Sequence, residues 1–139
     1  MKNSLRFVVL LSLLLTAYRN VNGQPAIQKA IEKTWTFTYL KAINGQKDNL
    51  KTYLKKNWFA MDSIAVNRKL ISRYELMENL NADAEWDFIV AVEYFTRDTY
   101  ADIEKAFEQI RAEHHPVTVN GLTLKDLGRI VRSETLQKR

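Results

Sequence analysis

The most regular strand-like pattern of the chain covers residues 86–95. Side chains two positions apart on a strand share a face, so one face carries Trp86, Phe88, Val90, Val92 and Tyr94, and the other carries Ile89, Ala91 and Phe95. Asp87 and Glu93 are the only charged residues in this stretch. Because both faces are largely apolar, the pattern predicts a central strand of a sheet that is covered on each side.

Three further strands are predicted, over residues 34–42, 70–79 and 128–136. The first alternates aromatic side chains with threonine and leucine and contains little charge, which is typical of an inner strand. The other two contain several charged residues each, namely Arg73, Glu75, Glu78, Arg129, Arg132 and Glu134. Strands of that kind belong at sheet edges, where one side meets water.

After the Asn44-Gly45 turn, the spacing of the apolar residues changes from that of a strand to that of a helix. Apolar side chains recur at Leu50, Tyr53, Leu54 and Trp58, and a basic stripe runs along Lys47, Lys51 and Lys55. A second and less regular segment, with Phe59, Met61, Ile64 and Ala65, is expected to continue this cover of the sheet.

A second helix is predicted to begin at Thr99 and to end at Pro116. Thr99 and Asp102 have the spacing with which two side chains satisfy each other's free backbone N–H groups at a helix start. The buried stripe of this helix is formed by Tyr100, Ile103, Ala106, Phe107 and Ile110. Residues 117–124 contain Asn-Gly between alternating residues, which fits either a small hairpin or a long ordered loop.

The element order is therefore strand, helix, strand, strand, helix, strand. This order predicts an α+β fold of the ferredoxin-like βαββαβ type, a four-stranded antiparallel sheet with two helices on one face and the first and third strands inside. The helices leave the second sheet face uncovered, although the central strand is apolar there too. A second copy of the chain is the simplest cover, so we expect a homodimer formed through that face.

The N-terminal residues are typical of a signal peptide. Residues 1–6 carry Lys2 and Arg6 and no acid, residues 7–17 are an almost unbroken apolar run, and small residues precede Gln24. We expect cleavage after Gly23 and a secreted or periplasmic protein. The apolar run is shorter than the roughly 20 residues of a membrane span, and no cysteine follows it for lipid attachment. A stable membrane anchor is therefore not expected.

Cleavage would leave residues 24–139 as a single domain. Because the removed segment contains three basic residues and no acid, the net charge would fall from +5 to +2. A balance this close to neutral gives no indication of nucleic-acid binding. The absence of cysteine excludes disulfides and thiolate chemistry, and no N-glycosylation sequence is present.

In length, element order, the doubly apolar third strand and the helix at residues 49–58, the chain resembles the dimeric α/β-barrel superfamily, whose ferredoxin-like protomers pair sheet to sheet. The resemblance covers roughly residues 34–136. It implies relatives that include cofactor-independent monooxygenases of quinol-like aromatics, haem-degrading enzymes, small-lactone isomerases and proteins of unknown reaction. Asn57, Trp58 and His114 do not align in context with the Asn, Trp and His set of the haem degraders.

Glu93 is the candidate general base. If it lies buried beside a cavity, desolvation would raise its pKa and suit it to accept a proton from an acidic C–H or a phenol. The alternative is that Glu93 pairs with Lys41 or Arg73 and has a structural role. His114 and His115 are adjacent and point about 100° apart on a helix, which favours a polar helix end over a metal site.

Five aromatic residues are candidate ligand-binding residues that could line an apolar pocket between sheet and helices: Trp35, Tyr39, Trp58, Trp86 and Tyr94. The alternative is that they fill the core. The lysines of the basic stripe, with Lys56, fit a solvated helix face. No phosphate-binding loop, nucleophile elbow or Cys–His pair is present, and no cofactor is predicted.

Three functions remain open from the sequence. The first is a homodimer that binds a small apolar or aromatic molecule. The second is a cofactor-independent monooxygenase or isomerase of the same fold, acting on a small aromatic, quinol or lactone with Glu93 as the base. The third is a purely structural dimer with a filled core, since one fold carries many functions.

Overall fold

The computed structural model describes residues 33–95 and 99–137. The predicted signal peptide and its cleavage site lie outside the described residues. The elements in chain order are β1 (Thr34–Ala42), α1 (Lys47–Lys56), α2 (Trp58–Asn67), β2 (Arg73–Glu78), β3 (Phe88–Glu93), α3 (Tyr100–Glu113), α4 (Leu124–Leu127) and β4 (Gly128–Gln137).

The four strands form one sheet in the order β2-β3-β1-β4, with every neighbouring pair antiparallel. This is the ferredoxin-like strand order, and it confirms the predicted α+β class with β1 and β3 inside. The two charged strands lie at the edges because each can present its ionic side chains to water there.

The strands β2 and β3 are both shorter in the structure than in the prediction. β3 begins at Phe88 rather than Trp86, and β2 covers residues 73–78 rather than 70–79. The side chain of Asp87 explains the later start of β3. Its Oδ2 accepts a hydrogen bond of 2.8 Å from the backbone N–H of Ala42, so a carboxylate takes the place of a ladder carbonyl at this end of β1.

The first helical layer differs from the prediction in one respect. The second segment, expected to be less regular than the first, is a regular ten-residue helix, α2, separated from α1 by Asn57. Residues 58–67 contain no glycine or proline, so nothing in them interrupts a helix. Their apolar residues occur on several sides of the helix, which removed the one-sided periodicity that would have indicated it.

The start of α3 agrees with the prediction. Asp102 Oδ2 accepts hydrogen bonds from the backbone N–H of Thr99 at 2.6 Å and from its hydroxyl at 3.0 Å, as part of a capping box. The helix ends at Glu113, three residues before the predicted end. Pro116 has no N–H and disfavours helical backbone in the residue before it, so the last turn cannot reach it.

Residues 117–124 contain the predicted tight turn without the rest of a hairpin. Asn120 and Gly121 both have positive φ angles, 53° and 79°, as the turn requires. The turn is closed by two backbone hydrogen bonds between Val119 and Leu122, of 3.0 and 2.9 Å. The pairing stops there, and α4 follows with a capping box of its own.

The core between sheet and helices consists of two clusters. The first, under α1, contains Leu40, Leu50, Leu54, Phe88, Val90, Val119 and Leu127. The second, between α2 and α3, contains Ala65, Ile71, Tyr94, Phe107 and Ile110. Both lie on one face of the sheet, as predicted.

The opposite sheet face, which we call the open face, carries the alternate side chains of each strand. Its register brings together Trp35, Phe37 and Tyr39 of β1 with Ile89, Ala91 and Glu93 of β3. Ala91 is fully buried and Ile89 is 8% exposed, because the larger neighbouring side chains surround them. Arginine heads lie over two of these rings, Arg73 over Trp35 at 4.6 Å and Arg132 over Tyr39 at 4.1 Å.

Candidate functional site

A cavity of about 500 Å³ lies between the two core clusters. This volume is within the usual range for sites that hold a small molecule, roughly 300–1,000 Å³. Its floor is the helix-facing side of the sheet, formed by Thr36, Thr38, Val90, Val92, Ile130 and Ser133. Its roof comes from α2 and α3.

Small side chains on the floor explain why the space is unfilled. Thr38 of β1 and Ser133 of β4 face each other with their hydroxyl oxygens 3.3 Å apart. Farther along the sheet, Leu40 of β1 and Phe88 of β3 are fully buried and fill the equivalent space. The floor is therefore apolar along β3, while β1 and β4 contribute the hydroxyl groups of Thr36, Thr38 and Ser133 beside the apolar Ile130.

The roof residues from α2 are placed by helix geometry. Trp58 and Asp62 are four positions apart, so both side chains lie on the same side of α2 and both line the cavity. Across from them, α3 contributes Tyr100, Phe107 and Arg111. The roof thus places three aromatic rings and one carboxylate against the same space.

Asp62 is the most unusual residue of the site. It is only 6% exposed, and burial raises its pKa from 3.8 to about 7. Within residues 33–95 and 99–137, no hydrogen bond or ion pair to its carboxylate is formed. An aspartate is rarely buried without a partner, so the carboxylate of Asp62 is an unusual part of this largely apolar wall.

Tyr94 closes the cavity on the sheet side and is 3% exposed. Burial raises the pKa of its phenol, the interaction with the Thr36 hydroxyl opposes that rise, and the nearby charge of Asp62 adds to it. The phenol is therefore neutral over the ordinary pH range, and a hydroxyl and a carboxylate share this region of the site.

Arg111 is the cation of the cavity wall. Its guanidinium group donates hydrogen bonds to the Glu108 carboxylate and to the Tyr100 hydroxyl. It also lies over the rings of Tyr100 and Phe107, with distances to the ring centroids of 5.6 and 5.8 Å. Its charge is thus already matched by Glu108.

The structure brings together two of the five aromatic residues proposed from the sequence. Trp58 and Tyr94 line the cavity. Trp35 and Tyr39 lie on the open face, on the other side of the sheet. Trp86 packs edge-on against Tyr39, with ring centroids 5.6 Å apart, and belongs to that group.

Glu93 also lies on the open face, away from the cavity. Its carboxylate accepts hydrogen bonds from the Ser72 hydroxyl at 2.5 Å and from Lys33 Nζ at 2.9 Å, and Arg73 Nε is 3.4 Å away. Burial alone would raise its pKa, but these hydrogen bonds and positive charges outweigh it and leave the pKa below the ordinary value. The structure thus shows the pairing with Arg73 that was the alternative to a base. Lys41 pairs instead with Asp87, at 3.3 Å.

His114 is at the end of α3, where its Nε2 is 3.0 Å from Asn57 Oδ1. Within the described parts of the chain, no three His, Asp or Glu side chains are grouped as a metal ion requires. Two lysines of the basic stripe, Lys47 and Lys51, pair with Glu78 of β2, at 3.3 and 2.6 Å.

Sequence reasoning did not single out Asp62, although a signal for it exists. It is the only charged residue in the otherwise apolar and small-residue stretch from Trp58 to Val66. A lone carboxylate in such a helix must either face water or enter the core, and four residues after Trp58 it shares the face of an aromatic.

No protein-family model matches the chain, and a search of curated proteins returns no match. A search of solved structures returns a crystal structure from Bacteroides fragilis, described as a dimeric protein of unknown function and ferredoxin-like fold. That protein is 12% identical, and the alignment covers 77% of this chain and 94% of that chain, with a TM-score of 0.41. Our assignment of the fold rests on the strand order above. Within residues 33–95 and 99–137, no helix has the length and apolar character of a membrane span.

Proposed function

We propose that this protein binds one small, largely apolar or aromatic molecule in the cavity between its sheet and its helices. The observation that carries the proposal is the cavity itself, about 500 Å³ of space bordered by Trp58, Tyr94, Phe107 and their neighbours. A filled core would leave no such volume, since protein interiors pack as densely as organic crystals.

The composition of the walls supports an aromatic ligand. Rings from α2, α3 and the end of β3 offer faces and edges to a flat molecule. The hydroxyl groups of Thr36, Thr38 and Ser133 on the floor can orient a polar substituent. This combination of apolar walls with a few polar groups is typical of small-molecule sites.

The three tryptophans provide a direct test, because only Trp58 lines the cavity. Two-dimensional NMR of the 15N-labelled protein resolves their indole N–H signals, which Trp→Phe variants assign. We expect 1-naphthalenemethanol to shift the Trp58 signal in a saturable way. The signals of Trp35 and Trp86, on or beside the open face, serve as internal controls.

Two outcomes would contradict the proposal. One is that no indole signal moves at saturating probe. The other is that all three move together without saturation, which indicates weak adhesion to the surface. A cavity-filling variant, Ile103→Phe, should weaken binding by about tenfold or more because the added ring occupies ligand space.

The enzyme alternative has less support. Glu93 is across the sheet from the cavity and is held in its ionised form by Lys33 and Arg73. A base must lie within hydrogen-bond reach of the proton that it removes. A direct test is turnover of a quinol or lactone by wild type and Glu93→Gln. Turnover that the variant lacks while remaining folded would favour catalysis over binding alone.

We also propose that the open face pairs with a second copy of the chain. Met77 is 37% exposed and Leu136 is 52% exposed at its two edges, where Met77 pairs with Ile89 of β3 and Leu136 pairs with Trp35 of β1. Charges of both signs flank them, with Arg73 and Arg132 near Glu75 and Glu134. A patch with both signs suits a two-fold axis, which brings each charge opposite its complement.

Sedimentation equilibrium of Leu136→Arg tests this pairing, with Leu80→Arg as the matched control. Leu80 is 90% exposed in a loop outside the open face. We expect the wild type and the control to be dimeric and Leu136→Arg to be largely monomeric. A monomeric wild type would be inconsistent with pairing through this face.

Export is a further part of the proposal and depends on residues 1–23. The mass of the protein recovered from the periplasm or the medium tests it. Cleavage after Gly23 gives a mature chain that begins at Gln24. An intact N-terminus on protein found only in the cytoplasm would be inconsistent with a signal peptide.

A further inference from the structure

We propose that the ligand of this cavity carries a protonated amine on an aromatic or similarly apolar body, and that Asp62 binds the amine. This inference rests on the proposed function and adds the chemical class of the ligand. It depends on three features of the site: a carboxylate without a partner, a wall cation that is already matched, and aromatic rings around the same space.

The carboxylate of Asp62 is available to a ligand. Its residue is 94% buried, and no donor within the described residues reaches it. Yet no fully enclosed side-chain oxygen or nitrogen of the described residues lacks a partner. The oxygens of Asp62 must therefore open onto free space, and the space that Asp62 lines is the cavity.

The charges around the cavity favour a cation. Arg111 is held by Glu108 and by the Tyr100 hydroxyl, so it does not neutralise Asp62. The other polar groups on the walls are the Trp58 indole and the hydroxyls of Thr36, Thr38, Ser133, Tyr94 and Tyr100, and none of them is a cation. An ionised Asp62 thus leaves one unmatched negative charge in a largely apolar space, which an ammonium group would complement.

The rings provide the second component of such a site. Trp58 is one helical turn from Asp62 on the same side of α2, and Phe107 and Tyr94 border the same space. The negative face of an aromatic ring attracts an ammonium group within about 6 Å. A carboxylate among rings therefore holds the charged end of the ligand while its apolar body fills the remaining volume.

Titration of Asp62 would make binding depend on pH. Burial raises the pKa of Asp62 to about 7, so the free protein ionises this group only as the pH rises through neutrality. An arylalkyl ammonium stays mostly charged up to pH 8.5. Its affinity should therefore increase by about tenfold or more between pH 5.5 and pH 8.5 and should fall again at higher pH, where the amine loses its proton.

The test is isothermal titration calorimetry with three probes of one shape: 1-naphthylmethylamine, 1-naphthalenemethanol and 1-ethylnaphthalene. At pH 8.5 we expect the amine to bind the wild type about tenfold or more tighter than the other two, as an added charged hydrogen bond implies. In Asp62→Asn the amine should lose its advantage over the other two probes, and the roughly tenfold gain in its affinity between pH 5.5 and pH 8.5 should be lost. Asp83→Asn, which changes an exposed loop carboxylate, should behave as the wild type.

The outcomes separate this inference from the proposed function. If the alcohol and the ethyl compound bind but the amine has no advantage in the wild type at pH 8.5, the assignment of Asp62 is wrong and the pocket remains. If the alcohol binds best and Asp62→Asn abolishes its advantage, Asp62 recognises a neutral donor, which overturns the amine. If none of the three binds, the proposed function fails as well. The wild-type comparison decides the question even if Asp62→Asn does not fold.

Discussion

The side-chain oxygen of Asn57 accepts a hydrogen bond of 2.7 Å from the backbone N–H of Val117, sixty residues along the chain. The same amide returns a hydrogen bond of 2.9 Å from its Nδ2 to the Val117 carbonyl. The Asn57 side chain therefore satisfies both backbone groups of Val117, as a neighbouring strand would. Because Asn57 separates α1 from α2, it ties the break in the first helical layer to the segment that follows α3.

Replacement of Asn57 by alanine should destabilise the protein by about 2–4 kcal/mol. Asn57 is 2% exposed, and alanine would remove its hydrogen bonds to the backbone N–H and carbonyl of Val117 and to the Tyr53 carbonyl. Each such hydrogen bond contributes roughly 0.5–1.5 kcal/mol. Urea unfolding measures the loss. Asn67→Ala, at an exposed helix end, is the control and should change stability by less than about 0.5 kcal/mol.

The pH dependence of stability offers a test of Asp62 that needs no ligand. Its folded-state pKa of about 7 lies above the ordinary value of 3.8. Between these values the native state holds a proton that the unfolded chain has released, so stability falls as the pH rises through that window. Asp62→Asn removes this penalty and should be more stable than the wild type at pH 8.5, by roughly 2–4 kcal/mol.

At pH 4 the same pair should differ little, because Asp62 is then protonated in the native state and is only partly ionised in the unfolded chain, where its pKa is 3.8. Thermal unfolding between pH 4 and pH 8.5 measures the difference, with Asp83→Asn as the control. A wild-type-to-variant difference that does not change with pH would contradict the raised pKa.

Gly128 is required by close packing rather than by its backbone angles. A Cβ at this position would lie 2.7 Å from Leu50 Cδ2 and 2.8 Å from the backbone oxygen of Lys41. A leucine methyl can move, but the oxygen belongs to β1 and cannot. We expect Gly128→Ala to lose about 1–3 kcal/mol in urea unfolding. Arg129→Ala, at the exposed next position, should be nearly neutral.

The strand order was predictable because it depends on how many charged residues each strand contains and on how its apolar residues alternate. β1 and β3 contain few charges and lie inside, while Arg73 and Arg132 identify the edges. The start of α3 was predictable for a similar reason, since Thr99 and Asp102 act within one turn of chain. Such features depend on residues that are close in sequence, or on whether a strand carries side chains that must be solvated.

The ends of α2 were not predictable from local signals. Asn57 breaks the first layer through partners that lie sixty residues away. Lys69 ends α2 with a positive φ of 57°, in a position where glycine is usual, and Leu70 N–H bonds back to the Ala65 carbonyl. Neither position has a sequence signal of its own.

The candidate site was only half predictable. Aromatic residues were expected in a pocket, but the assignment of each ring to a sheet face decides which of them can meet. Trp35 lies on the open face and Tyr94 lines the cavity on the other face, although both are large aromatic residues. The cavity depends on where small residues such as Thr38 and Ser133 leave space opposite α2 and α3, which is a property of three-dimensional packing.

Glu93 should contribute to stability through its partners, and the sign of its pH dependence is opposite to that of Asp62. Burial opposes ionisation, yet hydrogen bonds from Ser72 and Lys33 and the charge of Arg73 lower its pKa below 4.5. Its contribution is therefore present above pH 4.5 and is lost as the pH falls through the lower folded-state value. Glu93→Gln should be less stable than the wild type by about 1–2 kcal/mol at pH 7.

Glu75→Gln is the matched control, because Glu75 also faces Arg73 on the open face but is exposed, and exposed pairs contribute little. Urea unfolding at pH 7 and pH 3 measures both variants, and equal losses for the two at pH 7 would show that the Ser72 and Lys33 contacts do not stabilise the fold.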